Sequence, residues 1–186
     1  MTRTLVVLGL LVAIASAETS YEIEVTLDPE AKIFQGVAKI TFANDGAEPL
    51  DLVPLRLDLN RTGKDEGWMQ VGQVTDPAGN TLELEYLKDR DGKDLGEFPS
   101  AKLAVPLPAG EEITLEVHYA GGVSADVPTF WMDDNDRGTT GAIFPRLVTR
   151  AGKEWLRDEW TPANFRVTLI APEAYRFAAS GRRVGE

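Results

Sequence analysis

Alternation of apolar and polar side chains is the feature that most constrains how this chain can fold. In Tyr21–Leu27 (YEIEVTL) every odd-numbered residue is apolar and every even-numbered residue is Glu or Thr. A period of two places the apolar set on one face of an extended strand and the polar set on the other. The segment therefore predicts a β-strand with one buried and one solvated face, which Asp28 and Pro29 bring to an end.

Similar short apolar patterns, separated by turn residues, recur along the chain. Further strands are predicted over roughly 33–43, 50–59, 69–75, 82–86, 103–107, 113–119, 165–169 and 175–179. Within 50–59 the apolar phase slips at Val53-Pro54, which predicts a β-bulge or a change of sheet, because proline lacks a ladder donor. The sequence Asp76–Asn80 (DPAGN) predicts a hairpin turn.

The spacing of these strands predicts the fold class. No stretch after the N-terminal segment has a convincing helical period, and strands joined by short turns are typical of sandwiches. We therefore predict an all-β, saddle-like or β-sandwich domain of mostly antiparallel strands. From Gly121 to Thr161 the periodicity fails, and long irregular segments of this kind are often functional.

The N-terminus has the layout of an export signal. Arg3 gives a short positive region, residues 5–14 are apolar, and Ala15-Ser16-Ala17 supplies the small residues that signal peptidase recognises. An apolar run of about ten residues is shorter than the roughly 20 that a membrane-spanning helix needs. We expect residues 1–17 to be a cleaved signal peptide and residues 18–186 to form one exported domain. A buried N-terminal strand or a membrane anchor is the alternative for the apolar run. Its location would be periplasmic or extracellular, with no stable membrane span after cleavage.

Cysteine content and charge exclude several functions. The chain has no Cys, so disulfides, thiolate chemistry and Cys-containing zinc sites are excluded. Its 19 Lys and Arg against 30 Asp and Glu give a net charge of −11, and removal of Arg3 leaves 18 against 30, or −12. So acidic a chain repels phosphate backbones, and we expect no nucleic-acid partner.

The sequence offers no complete catalytic or metal site. His118 is the only histidine, whereas catalytic zinc takes two or three His, or His with carboxylate or Cys. We interpret His118 as an ordinary exposed strand residue. The acidic loops at 89–94 and 133–138 lack the alternating oxygen ligands of an EF-hand loop, which leaves a looser calcium site as the alternative. Neighbouring carboxylates such as Asp158 and Glu159 are expected by chance. We predict no catalytic residue, no metal and no cofactor in this chain.

Aromatic residues are frequent in the irregular segment. Large aromatic side chains are typical anchors of protein interfaces and also stack on ligands. Ordinary packing within the domain is the alternative. The predicted interface or ligand-loop residues are Trp131, Phe144, Trp155 and Trp160.

Read in order, several segments resemble the N-terminal domain of aminopeptidase N-type (gluzincin) zinc metallopeptidases. That domain opens with patterns such as Y-x-I-x-L-x-L-D-P and G-x-x-x-I-x-F-x-N, and it continues with L-x-x-G-E and L-x-V-x-Y-x-G. It then has Y-P-R, P-A-x-F-x-V-x-L-x-x-P and A-x-S-G. The matching segments here are Tyr21–Pro29, Gly36–Phe42 with Asn44, Leu107–Glu111, Leu115–Gly121, Phe144–Arg146, Trp160–Ala163, Phe165–Leu169, Ala171-Pro172 and Ala178–Gly181.

The resemblance implies a saddle-shaped β domain that packs on a thermolysin-like catalytic domain and helps to wall its active-site cleft. In that family the zinc motif H-E-x-x-H and the motif G-x-M-E-N lie after this domain, and neither occurs here. Zinc is therefore implied only for a catalytic domain beyond this chain. Family members usually present a Gln or Glu to the substrate amino group, but Arg137–Ala142 contains neither. No amine-anchoring residue is assigned.

Three functional hypotheses follow. The leading one is a noncatalytic N-terminal domain of an exported metallopeptidase, truncated or separately encoded, with a catalytic domain or peptide substrate as its partner. The alternative is a stand-alone β-sandwich module that binds glycans or proteins through the aromatic segment. The third is a fragment without function, whose uncovered apolar interface would make it poorly soluble.

Overall fold

The structure, a computed structural model, describes residues 19–61, 67–88, 92, 94–123, 130–132, 138–140, 143–151, 154–156 and 162–173. The strands are β1 Thr19–Asp28, β2 Ile33–Ala43, β3 Leu50–Arg56, β4 Gly67–Thr75, β5 Glu83–Lys88, β6 Asp94–Leu107, β7 Glu112–Val123, β8 Phe130–Met132, β9 Gly138–Thr140, β10 Arg146–Leu147, β11 Thr149–Ala151, β12 Glu154–Leu156 and β13 Ala163–Ile170. A short 3-10 helix covers Asp58–Arg61. No helix within these ranges is long and apolar enough to cross a membrane.

The prediction of an all-β fold is confirmed. The strands predicted at 21–27, 33–43, 113–119 and 165–169 lie within β1, β2, β7 and β13. The strand predicted at 175–179 and the signal peptide predicted at 1–17 lie outside the described residues.

Two larger sheets contain most of the strands. The first has the order β13-β1-β2-β7-β4, in which β13 runs parallel to β1 and every other neighbour is antiparallel. The second has the order β10-β3-β6-β5 and is antiparallel throughout. Two small antiparallel pairs, β8 with β9 and β11 with β12, come from the irregular segment.

The two larger sheets form a β-sandwich around one apolar core. In the first sheet the alternation places Ile23, Val25 and Ile40 on the buried face, each at most 3% exposed. The second sheet contributes Val53 and Leu55 to the same cluster. Burial of apolar surface between two sheets is the main stabilising term for such a fold, since no disulfide is available.

The strand predicted at 50–59 is shorter than expected. β3 ends at Arg56, and the chain turns into the 3-10 helix, where Asn60 contacts two other strands. Its Nδ2 donates to the carbonyls of Met69 (2.9 Å) and Gly96 (3.2 Å), and its Oδ1 accepts from the Met69 N–H (2.7 Å). These hydrogen bonds of the Asn60 side chain stabilise the turn, because they would be lost if the chain continued as an extended strand.

The irregularity in β3 also lies earlier than the Val53-Pro54 slip predicts. The register between β3 and β6 shifts between Leu50 and Leu52. Pro54 stays within the strand, and its carbonyl accepts the Val148 N–H at 3.1 Å. A bulge is present, but it precedes the proline.

Asp76–Asn80 forms the predicted turn but not the predicted hairpin. The Asp76 N–H donates to the Asn80 carbonyl (3.0 Å), and Gly79 has a φ of 84°, which glycine adopts without strain. The flanking strands share one bridge, Thr75 with Thr81, and then separate. β4 pairs with β7 in one sheet and β5 pairs with β6 in the other. The turn therefore connects the two layers of the sandwich.

The segment predicted to be irregular begins within regular structure. β7 continues to Val123, beyond the expected break at Gly121. The strands β8 to β12 that follow have only two or three residues each. Strands this short span too few residues for a period of two to be visible in the sequence.

Candidate docking surface

Three aromatic rings meet where β1, β13 and the segment before β10 come together. The rings of Tyr21 and Phe165 stack with centroids 4.8 Å apart and planes 10° from parallel. Phe144, one of the predicted interface residues, tilts against both, at 5.9 Å from Tyr21 and 5.6 Å from Phe165. We call Tyr21, Phe144, Phe165 and Val167 the aromatic edge.

The aromatic edge crosses from the core to the surface. In the parallel ladder Tyr21 lies opposite Phe165, and Ile23 lies opposite Val167, so all four share the face of the sheet that packs inward. Tyr21 and Ile23 are 5% and 3% exposed, whereas Phe165 and Val167 are each 47% exposed. The second sheet therefore covers β1 but leaves apolar side chains of β13 open to solvent. The two adjoining half-exposed side chains on an inward-facing sheet surface make this edge a candidate contact surface.

Sequence reasoning gave the strand at 165–169 but did not identify Phe165 or Val167 as candidates. Their alternation is identical to that of a strand covered on its inner face. Only the position of β13 at the end of the sheet order distinguishes them. No local sequence signal reports that position.

The Tyr21 hydroxyl ties the aromatic edge to the second sheet. It accepts a hydrogen bond from the Leu147 N–H of β10 at 3.0 Å. Burial raises the pKa of Tyr21 above its ordinary value of 10.0, while this hydrogen bond and the charge of Arg146 oppose the rise. The phenol is therefore neutral at physiological pH and acts as a structural acceptor.

A buried ionic cluster lies at Arg146, the residue of β10 that precedes Leu147. Asp58, at the start of the 3-10 helix, lies between the guanidinium groups of Arg56 and Arg146, which are 3% and 4% exposed. The Arg146 Nε donates to Asp58 Oδ2 at 2.6 Å. The Arg56 Nε lies 2.6 Å from Asp58 Oδ1 but without hydrogen-bond geometry, so that contact is ionic. The cluster holds β10, and with it Phe144, against β3.

The other predicted interface residues are placed only in part. Trp131 is the middle residue of β8 and Trp155 the middle residue of β12, and nothing further is described of either side chain. The following lie outside the described residues: Trp160, the pair Asp158 and Glu159, and residues 89–91, 93 and 133–137 of the acidic loops.

His118 lies on the solvent face of β7, as its polar phase predicts. Its Nε2 is 2.9 Å from Glu116 Oε1, and its side chain is 44% exposed. In the part of the chain that the structure describes, no group of three or more His, Asp or Glu residues is arranged to hold a metal ion.

Comparisons with known proteins give matches only at the level of structure. Neither protein-family models nor curated protein sequences match the chain. Among solved structures it resembles an M1 zinc metallopeptidase mutant from Deinococcus radiodurans bound to a Tyr-Ser-Ala substrate, with 18% identity and a TM-score of 0.58. It also resembles the M1 zinc metallopeptidase from Deinococcus radiodurans, with 18% identity and a TM-score of 0.57.

These likenesses extend over most of this chain but over a minor part of the other proteins. They cover 91% and 89% of this chain, against 36% and 35% of the metallopeptidase chains. At 18% identity the likeness shows the fold. This chain therefore has the fold of one part of an M1 zinc metallopeptidase, and it forms a domain that resembles the N-terminal β domain of those enzymes.

Proposed function

We propose that this domain is noncatalytic, packs on a metallopeptidase catalytic domain, and shapes the access of peptide substrates to the active site of that domain. The observation that carries the proposal is the aromatic edge, where Phe165 and Val167 leave an inward-facing sheet surface uncovered. The similarity to about a third of an M1 zinc metallopeptidase supports the choice of partner.

The chemistry of the aromatic edge suits a lasting contact. Phe165 already stacks on a buried ring, so little side-chain freedom remains to be lost when a partner covers it. Aromatic anchors of this kind contribute a large share of the binding free energy at protein interfaces. An apolar strand of the catalytic domain, laid against β13, would bury both half-exposed side chains.

Export forms the second part of the proposal. Residues 1–17 carry the three regions of a signal peptide, and the acidic chain that follows is free of cysteine. We propose that the domain acts in the periplasm or outside the cell, together with the catalytic domain.

The experiment starts from the DNA that follows the coding sequence of this chain. A catalytic domain with an H-E-x-x-H motif, encoded in the same or the next reading frame, is expressed with and without the present chain. We expect the two proteins to copurify in a 1:1 ratio. We also expect this chain to change the relative rates at which the catalytic domain cleaves short and long peptide substrates. Absence of such a frame, or failure of the two proteins to associate, would overturn the proposal.

Matched variants locate the contact. Phe165→Asp places a charge on the aromatic edge and should abolish copurification. Val105→Asp places the same charge on β6 of the other sheet, at a side chain that is 78% exposed, and should leave it intact. Equal loss in both variants would point to a nonspecific effect of charge and count against the aromatic edge.

A further inference from the structure

A second surface feature lies on the opposite, outward face of the five-stranded sheet. An open groove of about 550 Å³ runs across β1, β2, β7 and β4. On β7 the groove is lined by His118 and Ala120, which share the outward face of the strand. Ala120 is small, and the longer side chains of Gln35 and Gln70 lie opposite it on the two neighbouring strands.

Trp68 forms one end of the groove. Its indole lies over Gly122, where a Cβ atom would be 2.5 Å from the indole Nε1, so only glycine fits beneath it. The side chain remains 49% exposed. On the opposite face of the sheet Phe34 lies over Gly121 in the same way. Because Gly121 and Gly122 have no side chains, the ring of Phe34 packs against one face of β7 and the indole of Trp68 against the other. The indole is therefore an exposed apolar surface.

Hydrogen-bonding groups line the rest of the groove. Gln35 and Gln70 lie opposite Ala120 from either side, two strand spacings or roughly 10 Å apart along the sheet. Neither amide has a hydrogen-bond partner within the described ranges, and the same holds for the exposed carboxylate of Glu24. By contrast, Gln73 just beyond the groove donates to Thr81 Oγ1 at 2.8 Å.

Charges beside the groove are largely paired. Lys39 is 3.6 Å from Glu116, and Arg166 is 3.6 Å from Glu22. Glu24 is the single carboxylate among the lining residues, and it has no ion-pair partner among the described residues. The groove offers the carboxylate of Glu24, two donor–acceptor amides, an aromatic face and the imidazole of His118, which already contacts Glu116. The carboxylates of Glu24 and Glu116 do not suit an anionic ligand.

We propose that this groove binds a neutral oligosaccharide. Hydroxyl groups on neighbouring sugar carbons would form hydrogen bonds with Gln35, Gln70 and Glu24, each of which can bind two hydroxyls. The apolar face of one sugar ring would stack on the indole of Trp68. An extended peptide fits less well, because peptides join sheets through free backbone groups at an edge. The floor strands β2 and β7 are internal, and their backbone groups pair with strands on both sides. This site is independent of the proposed packing on a catalytic domain, since it uses the other face of the sheet.

Isothermal titration calorimetry of the purified chain with a panel of neutral hexasaccharides tests the proposal. The panel includes cellohexaose, maltohexaose and hexa-N-acetylchitohexaose. We expect saturable 1:1 binding to at least one of them. Trp68→Ala should weaken that binding about tenfold or more, since aromatic stacking is lost. Gln70→Ala should weaken it by a smaller factor, and Val105→Ala on the other sheet should leave it unchanged.

The controls keep the result interpretable. Far-UV circular dichroism checks each variant for folding, and Gln70→Ala with Gln35→Ala replaces Trp68→Ala if the latter fails to fold. The proposal is overturned if no neutral oligosaccharide binds, if binding survives the groove substitutions, or if a peptide of equal length binds more tightly at the same residues.

Discussion

Tyr21 and Phe165 stack with ring centroids 4.8 Å apart, although the first is 5% exposed and the second 47%. The two residues face each other in the parallel pairing of β1 with β13. The apolar core is therefore in direct contact with an apolar side chain at the surface. A partner that covers Phe165 would extend the core of the sandwich.

The hydroxyl of Tyr21 should contribute measurably to stability. Tyr21→Phe removes the acceptor of the Leu147 N–H and leaves that partly buried donor without its partner. We expect a loss of about 1–3 kcal/mol in the free energy of unfolding. Urea denaturation of both proteins gives the difference.

Tyr119 provides the matched control. Its hydroxyl is buried with no hydrogen-bond partner among the described residues, so removal of that oxygen relieves a desolvated polar group. Tyr119→Phe should be neutral or slightly stabilising. A loss as large as that of Tyr21→Phe would contradict the assignment of the two hydroxyls.

The same tyrosines predict how stability depends on alkaline pH. Burial raises the pKa of Tyr119, and also that of Tyr21, above the ordinary value of 10.0. Above pH 10.0 the unfolded chain releases phenolic protons that the folded chain retains, so the unfolded state is favoured. The contribution of the two buried phenols to the free energy of unfolding should be fully present below pH 10.0 and decrease above it. Urea midpoints between about pH 9 and 11 should fall less steeply for Tyr119→Phe, and parallel curves would contradict the prediction.

Much of the fold follows from local patterns, whereas the candidate surface depends on long-range pairing. The alternation in β1 predicts which side chains of Tyr21–Leu27 face inward, and they do, with Leu27 only partly buried at the end. The DPAGN turn is equally local, but the apolar pattern of its flanking segments does not say which sheet each of them joins. Their separation into two layers therefore leaves no trace in the sequence.

The residues of the aromatic edge illustrate the same limit. Phe144 is identifiable as an interface candidate because it is a large aromatic residue in an irregular segment. Its contacts with Tyr21 and Phe165 depend on the parallel pairing of β13 with β1, which joins residues that are far apart in the chain. Arg146 and Asp58 meet across 88 positions for a similar reason.

Asp58 should be among the most sensitive polar positions. Asp58→Ala removes a carboxylate that lies against two buried guanidinium groups, those of Arg56 and Arg146. Loss of one member of a buried ionic cluster costs about 3–5 kcal/mol in the free energy of unfolding. Lys39→Ala breaks an exposed pair with Glu116 and should cost no more than about 1 kcal/mol. Equal effects in urea denaturation would show that the buried cluster is not stabilising.

Export predicts a defined mature N-terminus. Mass spectrometry of the protein recovered outside the cytoplasm should show a chain that begins at Glu18. Ala17→Phe should block cleavage, because signal peptidase requires a small residue there, whereas Ser16→Phe at the tolerant middle position should be processed normally. Recovery of the chain with residues 1–17 attached would contradict the prediction.

Amide hydrogen exchange across Ala163–Ile170, with and without the catalytic domain, shows directly whether β13 is part of the contact. If the aromatic edge is the docking surface, addition of that domain should slow exchange in β13 and in the segment around Phe144. Exchange in β5 and in the C-terminal end of β6, near Val105, should stay the same. Unchanged exchange in β13, or protection confined to the other sheet, would show that the aromatic edge is not the docking surface.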